Sequence, residues 1–484
     1  MLGVTYFLGF ILAAFGLVYL LPIGCSLVTG DGLWPTFLLC AALTSATGLL
    51  LAAATYRYRR PLKPRDGFML VTLGWILLPA SATLPLLLAI PGLTFTRALF
   101  EAMSGLTTTG STVLTGLDTL APSLNFWRES LTWVGGLTGI VLAMGVMPLL
   151  GIGGMQLYKA EAPGPVRDER LEPRMTEAAR SVWLVYMLLT VAGAVGLRLS
   201  GMSWFDAVCH AFSAVSLGGF STHDAGIAYF HSAAVQVVLM MLMLAASINF
   251  TRHFVALRRM TLKPYGNDPE LKAMAAVLVV SIAVIAILLT ADHVYPTFDT
   301  ALRYAAFNVI SMATTTGWVA TGHASYRVWP AFVPIWLLFL SGIVCSTGTS
   351  GGGIKMFRTL VLVRQAGREL KLLVHPSAVS PVRIGGRSIP QRAANAVLAF
   401  IVLYFAATAL LLFAMLLTGM GFDTAFRVVV ASINNTAYGL AGQTGWNLHS
   451  LNPVQTWICT VAMLLGRLEI FSVIVLFTRT FWRK

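Results

Sequence analysis

The chain has 484 residues, of which 57% are hydrophobic and only 11% charged. Soluble domains carry about 25% charged residues, so this composition excludes an ordinary soluble enzyme and points to a polytopic membrane protein. The net charge of +14 does not indicate nucleic acid, because no basic helix or aromatic-basic motif accompanies it and the basic residues cluster in loops between apolar segments.

A membrane-crossing helix needs about 20 mostly apolar residues. Residues 1–30 are apolar, with no basic n-region and no clear cleavage site, so they read as a first span over 4–28 rather than a removed signal peptide. A second span at 33–55 is followed by Arg57, Arg59, Arg60, Lys63 and Arg65. A third, 68–90, leads into an apolar stretch too short to cross, 97–109, and a fourth span at 130–155. The basic residues Lys159, Arg167, Arg170, Arg174 and Arg180 follow. This order of span, short segment, span and basic loop then recurs. It reads 181–199, 205–217 and 231–251, followed by Arg252, Arg258, Arg259 and Lys263. It reads 272–291, 301–316 and 330–357, followed by Arg358, Arg364, Arg368, Lys371, Arg383, Arg387 and Arg392. The last copy is 393–418, 423–436 and 453–479, and the chain ends in Arg479, Arg483 and Lys484. Ten spans result. The opposite loops are much poorer in Lys and Arg, so the positive-inside rule places both termini and the basic loops in the cytoplasm and the short segments on the outer side.

The expected fold is therefore an all-α polytopic membrane protein. Two helices (1–65) precede four pseudo-symmetric helix–loop–helix repeats around a central pore, at 66–175, 176–268, 269–388 and 389–484. The short segments share residues as well as position. Gly110 has Ser104 six residues earlier and Glu101 nine earlier; Gly219 has Ser213 and His210; Gly317 has Ser311 and Asn308. The residue three before the glycine is Thr107, Ser216 or Thr314. A fourth copy, ASINNTAYG at 431–439, matches more loosely. Each motif alone is explained by close helix packing through Ser, Thr and Gly; four in the same topological slot are not. Non-helical backbone at membrane depth survives only when buried in protein or lining a watery cavity. Thr hydroxyls and backbone carbonyls are hard oxygen donors that suit a dehydrated alkali cation. The five cysteines, Cys25, Cys40, Cys209, Cys345 and Cys459, lie in apolar stretches with no CxxC pair and read as small buried residues.

Several stretches together resemble the TrkH/TrkG/KtrB/HKT superfamily of potassium transporters, most closely its TrkH type, over nearly the whole chain. They are MSGLTTTGSTV at 103–113, WVGGLTGIVLAMGVMPLLGIGGMQLYKAEAPGP at 133–165, HAFSAVSLGGFST at 210–222 and FNVISMATTTGW at 307–318. STGTSGGGIKMFR at 346–358, SINNTAYGL at 432–440 and LLGRLEIF at 464–471 complete the set. The resemblance implies one pore per subunit with a four-part K+ filter. Its residues map to Thr108, Thr109 and Gly110; Leu217, Gly218 and Gly219; Thr315, Thr316 and Gly317; and Thr436 with Ala437. Leu217 stands where relatives usually have a small polar residue, Ala437 where they have glycine, and Tyr438 where proline is frequent. If the backbone at Ala437 needs a positive φ, the alanine costs on the order of 1 kcal/mol in strain. Its methyl group would also narrow or skew one side of the ring, so a less selective Na+/K+ pathway stays open beside a K+ pathway.

The resemblance also implies a gate. Gly348, Thr349, Ser350, Gly351, Gly352 and Gly353 before Lys355 correspond to an intramembrane loop beneath the filter. Independently, four glycines there oppose a continuous helix, each costing about 1 kcal/mol against alanine; close helix packing is the competing explanation. Arg467 sits in an apolar span and matches an arginine just below the filter, where it raises the barrier to cations. Glu469, two residues away, is on the wrong face to pair with it. Lys355 lies near a span end, where snorkelling to the interface is an equal explanation. Glu101, His210 and Asn308 read as ties between the short helices and their neighbours. Asp31, Asp118, Asp206 and Asp224 read as outer-loop charges that either attract cations to the mouth or are simply solvated.

No GxxxxGK[ST] phosphate loop is present, so the chain does not hydrolyse ATP by that route and is read as a transporter rather than an enzyme. The membrane potential supplies about 2.3 kcal/mol per charge per 100 mV. The transported ion is K+, with no organic cofactor. The resemblance implies a homodimer in the bacterial inner membrane and a cytosolic TrkA-like nucleotide-binding regulatory subunit. The basic loops 156–180 and 358–392 are its candidate docking surfaces, with orientation signals the simpler explanation. A lipid-modifying membrane enzyme is the rival class, but the eight histidines are scattered and form no HxxxH or HExxH.

Overall fold

The computed structural model describes residues 2–145, 171–320, 328–437 and 448–483. Lys159, Arg167 and Arg170 of the second basic loop, Tyr438 and Lys484 lie outside the described residues. Two long helices open the chain, α1 (Leu2–Thr29) and α2 (Trp34–Tyr58). Then come α3 (Arg65–Ala89), α4 (Phe95–Leu106) and α5 (Pro122–Gly145). The same order of long, short and second helix follows in α6 (Leu171–Leu199), α7 (Trp204–Ser216) and α8 (Ala233–Ala246) with α9 (Phe250–Arg259). It continues in α10 (Pro269–Ala291), α11 (Phe298–Ala313) and α12 (Phe332–Ile343) with α13 (Met356–Val374). It ends in α14 (Gln391–Leu417), α15 (Phe422–Ile433) and α16 (Pro453–Arg467) with α17 (Phe471–Phe477). A small hairpin, β1 (Arg383–Ile384) with β2 (Arg387–Ser388), precedes α14.

Six of the described helices are long and apolar enough to cross a membrane. They are apolar nearly all round and leave large side chains such as Leu17, Leu50, Val191, Val279, Leu410 and Phe413 exposed, as a lipid-facing surface requires. Two further expected spans are bent rather than straight. The sixth turns through 95° between α8 and α9, and the tenth through 104° between α16 and α17. The first bend has a polar cause: the Asn249 side chain accepts from Thr251 N–H at 2.9 Å and starts a new helix inside the apolar run. At the second, Glu469 (φ 51°) and Ile470 (φ 32°) leave the helical region, a change no hydrophobic period reports. The expected break in the eighth span lies between Ile343 and Met356.

The four short helices are placed by their ends. Each begins on an extended residue, Thr94, Ser203, Thr297 or Gly421. Ser203 and Thr297 accept the N–H three residues on, which removes an orphan donor and fixes the start. The first helical residue is always aromatic and exposed: Phe95, Trp204, Phe298 and Phe422. Aromatic rings at one level are what a membrane interface selects. Toward the other end burial becomes nearly complete, with every residue from Ala98 to Leu106 buried in α4. A short helix enclosed on all sides belongs to the protein interior and not to lipid.

Candidate functional site

The four short helices end in the same manner. The chain passes through a left-handed residue at Thr108 (φ 55°), Leu217 (φ 57°), Thr315 (φ 65°) and Asn435 (φ 50°). Only asparagine adopts this conformation with ease, and each β-branched threonine there costs roughly 1–2 kcal/mol. The turn is closed by an N–H to a carbonyl near the helix end. Thr109 N–H donates to Ser104 O at 2.8 Å, Gly218 N–H to Ser213 O at 2.8 Å, Gly317 N–H to Ser311 O at 3.1 Å and Thr436 N–H to Ala431 O at 3.0 Å. This explains the conserved spacing within the chain and its looser fourth copy. The turn uses the backbone oxygen of the residue, so Ala431 serves where the other three copies have serine.

Two residues beyond each left-handed residue stand Gly110 (φ 71°), Gly219 (φ 77°), Gly317 (φ 78°) and Ala437. The first three need glycine, because a methyl group would stand 1.9 Å from Gly218 O, 1.9 Å from Thr316 O and 2.5 Å from Ala437 O respectively. Those contacts join the first turn to the second, the second to the third and the third to the fourth. Asn435 Nδ2 donates to Thr109 Oγ1 at 3.1 Å and closes the fourth onto the first. The four turns therefore form a closed ring, and all twelve residues 108–110, 217–219, 315–317 and 435–437 are buried.

Four of the five threonine hydroxyls are engaged, and the Thr436 hydroxyl is buried without a partner among the described residues. Thr109 Oγ1 pairs with Thr107 Oγ1 at 2.8 Å and Thr316 Oγ1 with Thr314 Oγ1 at 3.0 Å. Thr108 Oγ1 donates to Ser350 O at 3.4 Å, and Thr315 Oγ1 accepts from Gly352 N–H at 3.3 Å. The backbone carbonyls are different: among the described residues, none of those twelve carbonyl oxygens accepts a hydrogen bond. Buried carbonyls are nearly always satisfied, so a ring of free ones marks a place for an electropositive ligand.

Two expectations about unusual residues change. Ala437 does not have a positive φ, so the strain expected there is absent. Its methyl group would instead lie 2.8 Å and 2.6 Å from methyl groups placed on Gly219 and Gly317, and so projects toward the interior of the ring. The Leu217 side chain does not line the ring at all. It is fully buried in an apolar cluster with Ile140, Val215 and Phe250.

The stretch between α12 and α13 packs directly under these turns. Gly352 lies so close to the fourth turn that a methyl group there would meet Asn434 O at 2.1 Å, and one on Gly351 would meet Cys345 Sγ at 2.1 Å. Gly348 and Gly353 have positive φ, as does Lys355 (φ 73°). Thr349 O accepts from Lys355 Nζ at 3.3 Å, so the buried lysine is held by the loop rather than snorkelling. Arg467, the last residue of α16, fans its guanidinium over three segments. It donates to Ser350 O, to Thr108 Oγ1 at 3.2 Å and to Gly135 O at 2.7 Å, and stands over the Trp75 ring at 5.4 Å. Glu469 pairs instead with Arg358 at 2.5 Å.

Above the ring, Glu101 accepts from Arg128 Nε and Thr112 Oγ1, each at 2.8 Å, and from Val113 N–H at 3.0 Å. Arg128 also donates to Ser221 O at 3.2 Å and lies 4.3 Å over Phe220. Sequence reasoning missed Arg128; an Arg-Glu pair inside an apolar helix was the available signal. His210 bonds Ser221 Oγ at 3.0 Å, while Asn308 donates to Tyr304 O at 2.8 Å. The four aspartates expected on the outer side are all engaged by neighbouring groups. Asp31 accepts from Ser123 N–H at 2.9 Å at the start of α5, and Asp224 accepts from Gly116 N–H at 2.9 Å. Asp206 accepts from Thr222 Oγ1 at 2.7 Å, and Asp118 contacts His223.

Comparison with known proteins agrees with this architecture. The family model described as TrkH, cation transport protein, matches residues 35–484. The Trk system potassium uptake protein TrkH of Salmonella typhimurium is 41% identical over 483 residues, covering 100% of this chain and 99% of that one. TrkG of Escherichia coli K12, also a Trk system potassium uptake protein, is 37% identical over 484 residues, covering 99% and 98%. The crystal structure of the potassium transporter TrkH from Vibrio parahaemolyticus superposes with a TM-score of 0.91 at 38% identity, covering 100% and 99%. A multi-pass helical protein with a closed ring of buried turns, alike over its whole length to these transporters, belongs to the TrkH family of cation transport proteins.

Proposed function

We propose that this chain is the pore-forming subunit of a bacterial potassium uptake system, and that K+ passes inward through the ring of carbonyl oxygens. The observation that carries this reading is the set of buried carbonyls at 108–110, 217–219, 315–317 and 435–437 with no donor among the described residues. They replace hydration water around a cation. The C-terminal ends of α4, α7, α11 and α15 converge on the same place, and each presents about half a negative charge. Arg467 and the 344–355 loop form the gate beneath, since both touch Thr108 or Thr315. The basic loops lie in the cytoplasm of a cell with an inner membrane, and the inward-negative potential drives uptake. A homodimer and a TrkA-like cytosolic subunit complete the assembly. Within 358–392, Arg358 is already engaged by Glu469 and Phe400, so docking falls to exposed residues such as Arg364 and Lys371.

The Ala437 methyl group favours a second reading, a pathway less selective between K+ and Na+. One measurement decides between them: rubidium uptake into proteoliposomes with K+ and Na+ as competitors, for the native protein and Ala437→Gly. Competition by K+ alone in the native protein supports the selective pathway. Equal competition by both ions, shifting severalfold toward K+ in Ala437→Gly, supports the relaxed one. No cation binding in either protein overturns the carbonyl-ring reading.

A further inference from the structure

Both nitrogens of the His223 ring face carboxylates from other segments. Nδ1 lies 2.5 Å from Asp118 Oδ1 and Nε2 lies 3.3 Å from Asp206 Oδ1. Asp118 belongs to the chain leaving the first turn, in the short 3-10 segment Leu117–Thr119. Asp206 lies in the first turn of α7, and His223 itself follows Gly219 by four residues. The ring stacks on Tyr229 at 3.5 Å and 9°, which fixes its plane. A neutral imidazole has one N–H and one lone pair, whereas an ionised carboxylate only accepts. A neutral ring here would turn its lone pair toward one of the two carboxylates. The imidazolium donates from Nδ1 to Asp118 and, with no hydrogen bond at Nε2 among the described residues, faces the Asp206 carboxylate as an ion pair.

We propose that His223, as an imidazolium, is a positioning residue that clasps the segment leaving the first ring turn to the segment leaving the second, and so makes ion uptake depend on pH on that side of the membrane. The proposal rests on the carbonyl-ring reading for its link to uptake, but the clasp itself does not.

The surroundings leave His223 as the group that switches. Asp206 is held by Ser203 Oγ and Thr222 Oγ1, each at 2.7 Å, besides His223. Asp118 accepts on its other oxygen from Asp224 N–H at 3.3 Å. The Asp224 carboxylate is turned to Gly116 and Leu117 N–H. His210, on α7, is occupied at both nitrogens by Asp206 O and Ser221 Oγ. Tyr229 presents its ring face. Burial opposes the charged form of His223, but the attraction of the Asp206 and Asp118 carboxylates outweighs it and holds the imidazole above its usual range. The same contact holds the Asp118 carboxyl below its usual range. A histidine raised on folding contributes stability that is complete below the ordinary imidazole value and is lost as pH rises through the raised one. The clasp is closed at low pH and opens as pH rises through the raised value.

The test is rubidium uptake by cells lacking other potassium uptake systems. External pH is varied from about 5 to about 9, the range over which protein histidines titrate. Native uptake is expected to fall severalfold as pH rises. His223→Gln is expected to give the low alkaline level at every pH, with a flat profile. Asp118→Asn removes one of the two stabilising carboxylates, so it is expected to keep the response but move its midpoint to lower pH. A flat native profile, a His223→Gln profile that follows the native one, or an unmoved midpoint in Asp118→Asn overturns the clasp. Thermal unfolding of the purified proteins across the same range separates this from failure of the ring reading. The clasp requires the native melting temperature to fall with rising pH and the His223→Gln difference to vanish in alkaline medium, whether or not the protein conducts.

Discussion

Single residues carry much of the site's chemistry, and Arg467 shows how. A guanidinium in an apolar span is costly unless its donors are used, and here the two terminal nitrogens reach Ser350, Thr108 and Gly135 while Nε is left without a partner among the described residues. The arginine is therefore both a positive charge under the carbonyl ring and a strut for the loop beneath it. Arg467→Ala removes both, and uptake through purified protein in liposomes is expected to rise severalfold, with less dependence on any cytosolic partner. Unchanged flux would show that the charge is not on the ion's route. Sequence reasoning found Arg467 because a lone charge in an apolar run is visible. It did not find Arg128, which falls just before the expected span 130–155, although its side chain is only 1% exposed. Nor did it find that Leu217 turns its side chain away from the ring, because a residue's name does not reveal its φ.

Among the elements, the broken second helices matter most. The break between α12 and α13 was legible because glycines crowd it. The bends after α8 and after α16 were not, because apolar composition continues across them and the deciding features are a single Asn cap and two residues with positive φ. The 344–355 loop fits its place through backbone contact. Gly352→Ala introduces a methyl group 2.1 Å from Asn434 O, and overpacking of that kind costs about 1–3 kcal/mol. A lowered melting temperature together with altered uptake is expected. Gly367→Ala is the control: no atom lies within 4 Å of a methyl group there, and this change inside α13 is expected to leave uptake unaltered and to raise the melting temperature slightly, since alanine favours the helix by about 1 kcal/mol.

Across the whole molecule, buried cross-links tie the short helices and the ring turns together. The buried Glu101–Arg128 pair joins α4 to α5, and Arg128 continues to Ser221 beyond the second turn. Breaking a buried pair by removing one partner costs about 3–5 kcal/mol, whereas apolar replacement of both costs far less. Thermal unfolding of Glu101→Leu, Arg128→Met and the double variant should thus be strongly non-additive, the double variant losing less than the sum of the two. Additive losses would mean the pair is not coupled. The fourfold order of elements was readable in the sequence because apolar runs and basic loops alternate regularly. The closure of the ring was not, since it depends on backbone approaches between turns about a hundred residues apart. One consequence follows from Ala437 standing where three glycines complete the set. In a channel built from four identical chains, any substitution changes every side at once. Here all four sides are encoded separately on one chain, so if the ring is the ion's route, as proposed, its preference is adjustable one quadrant at a time.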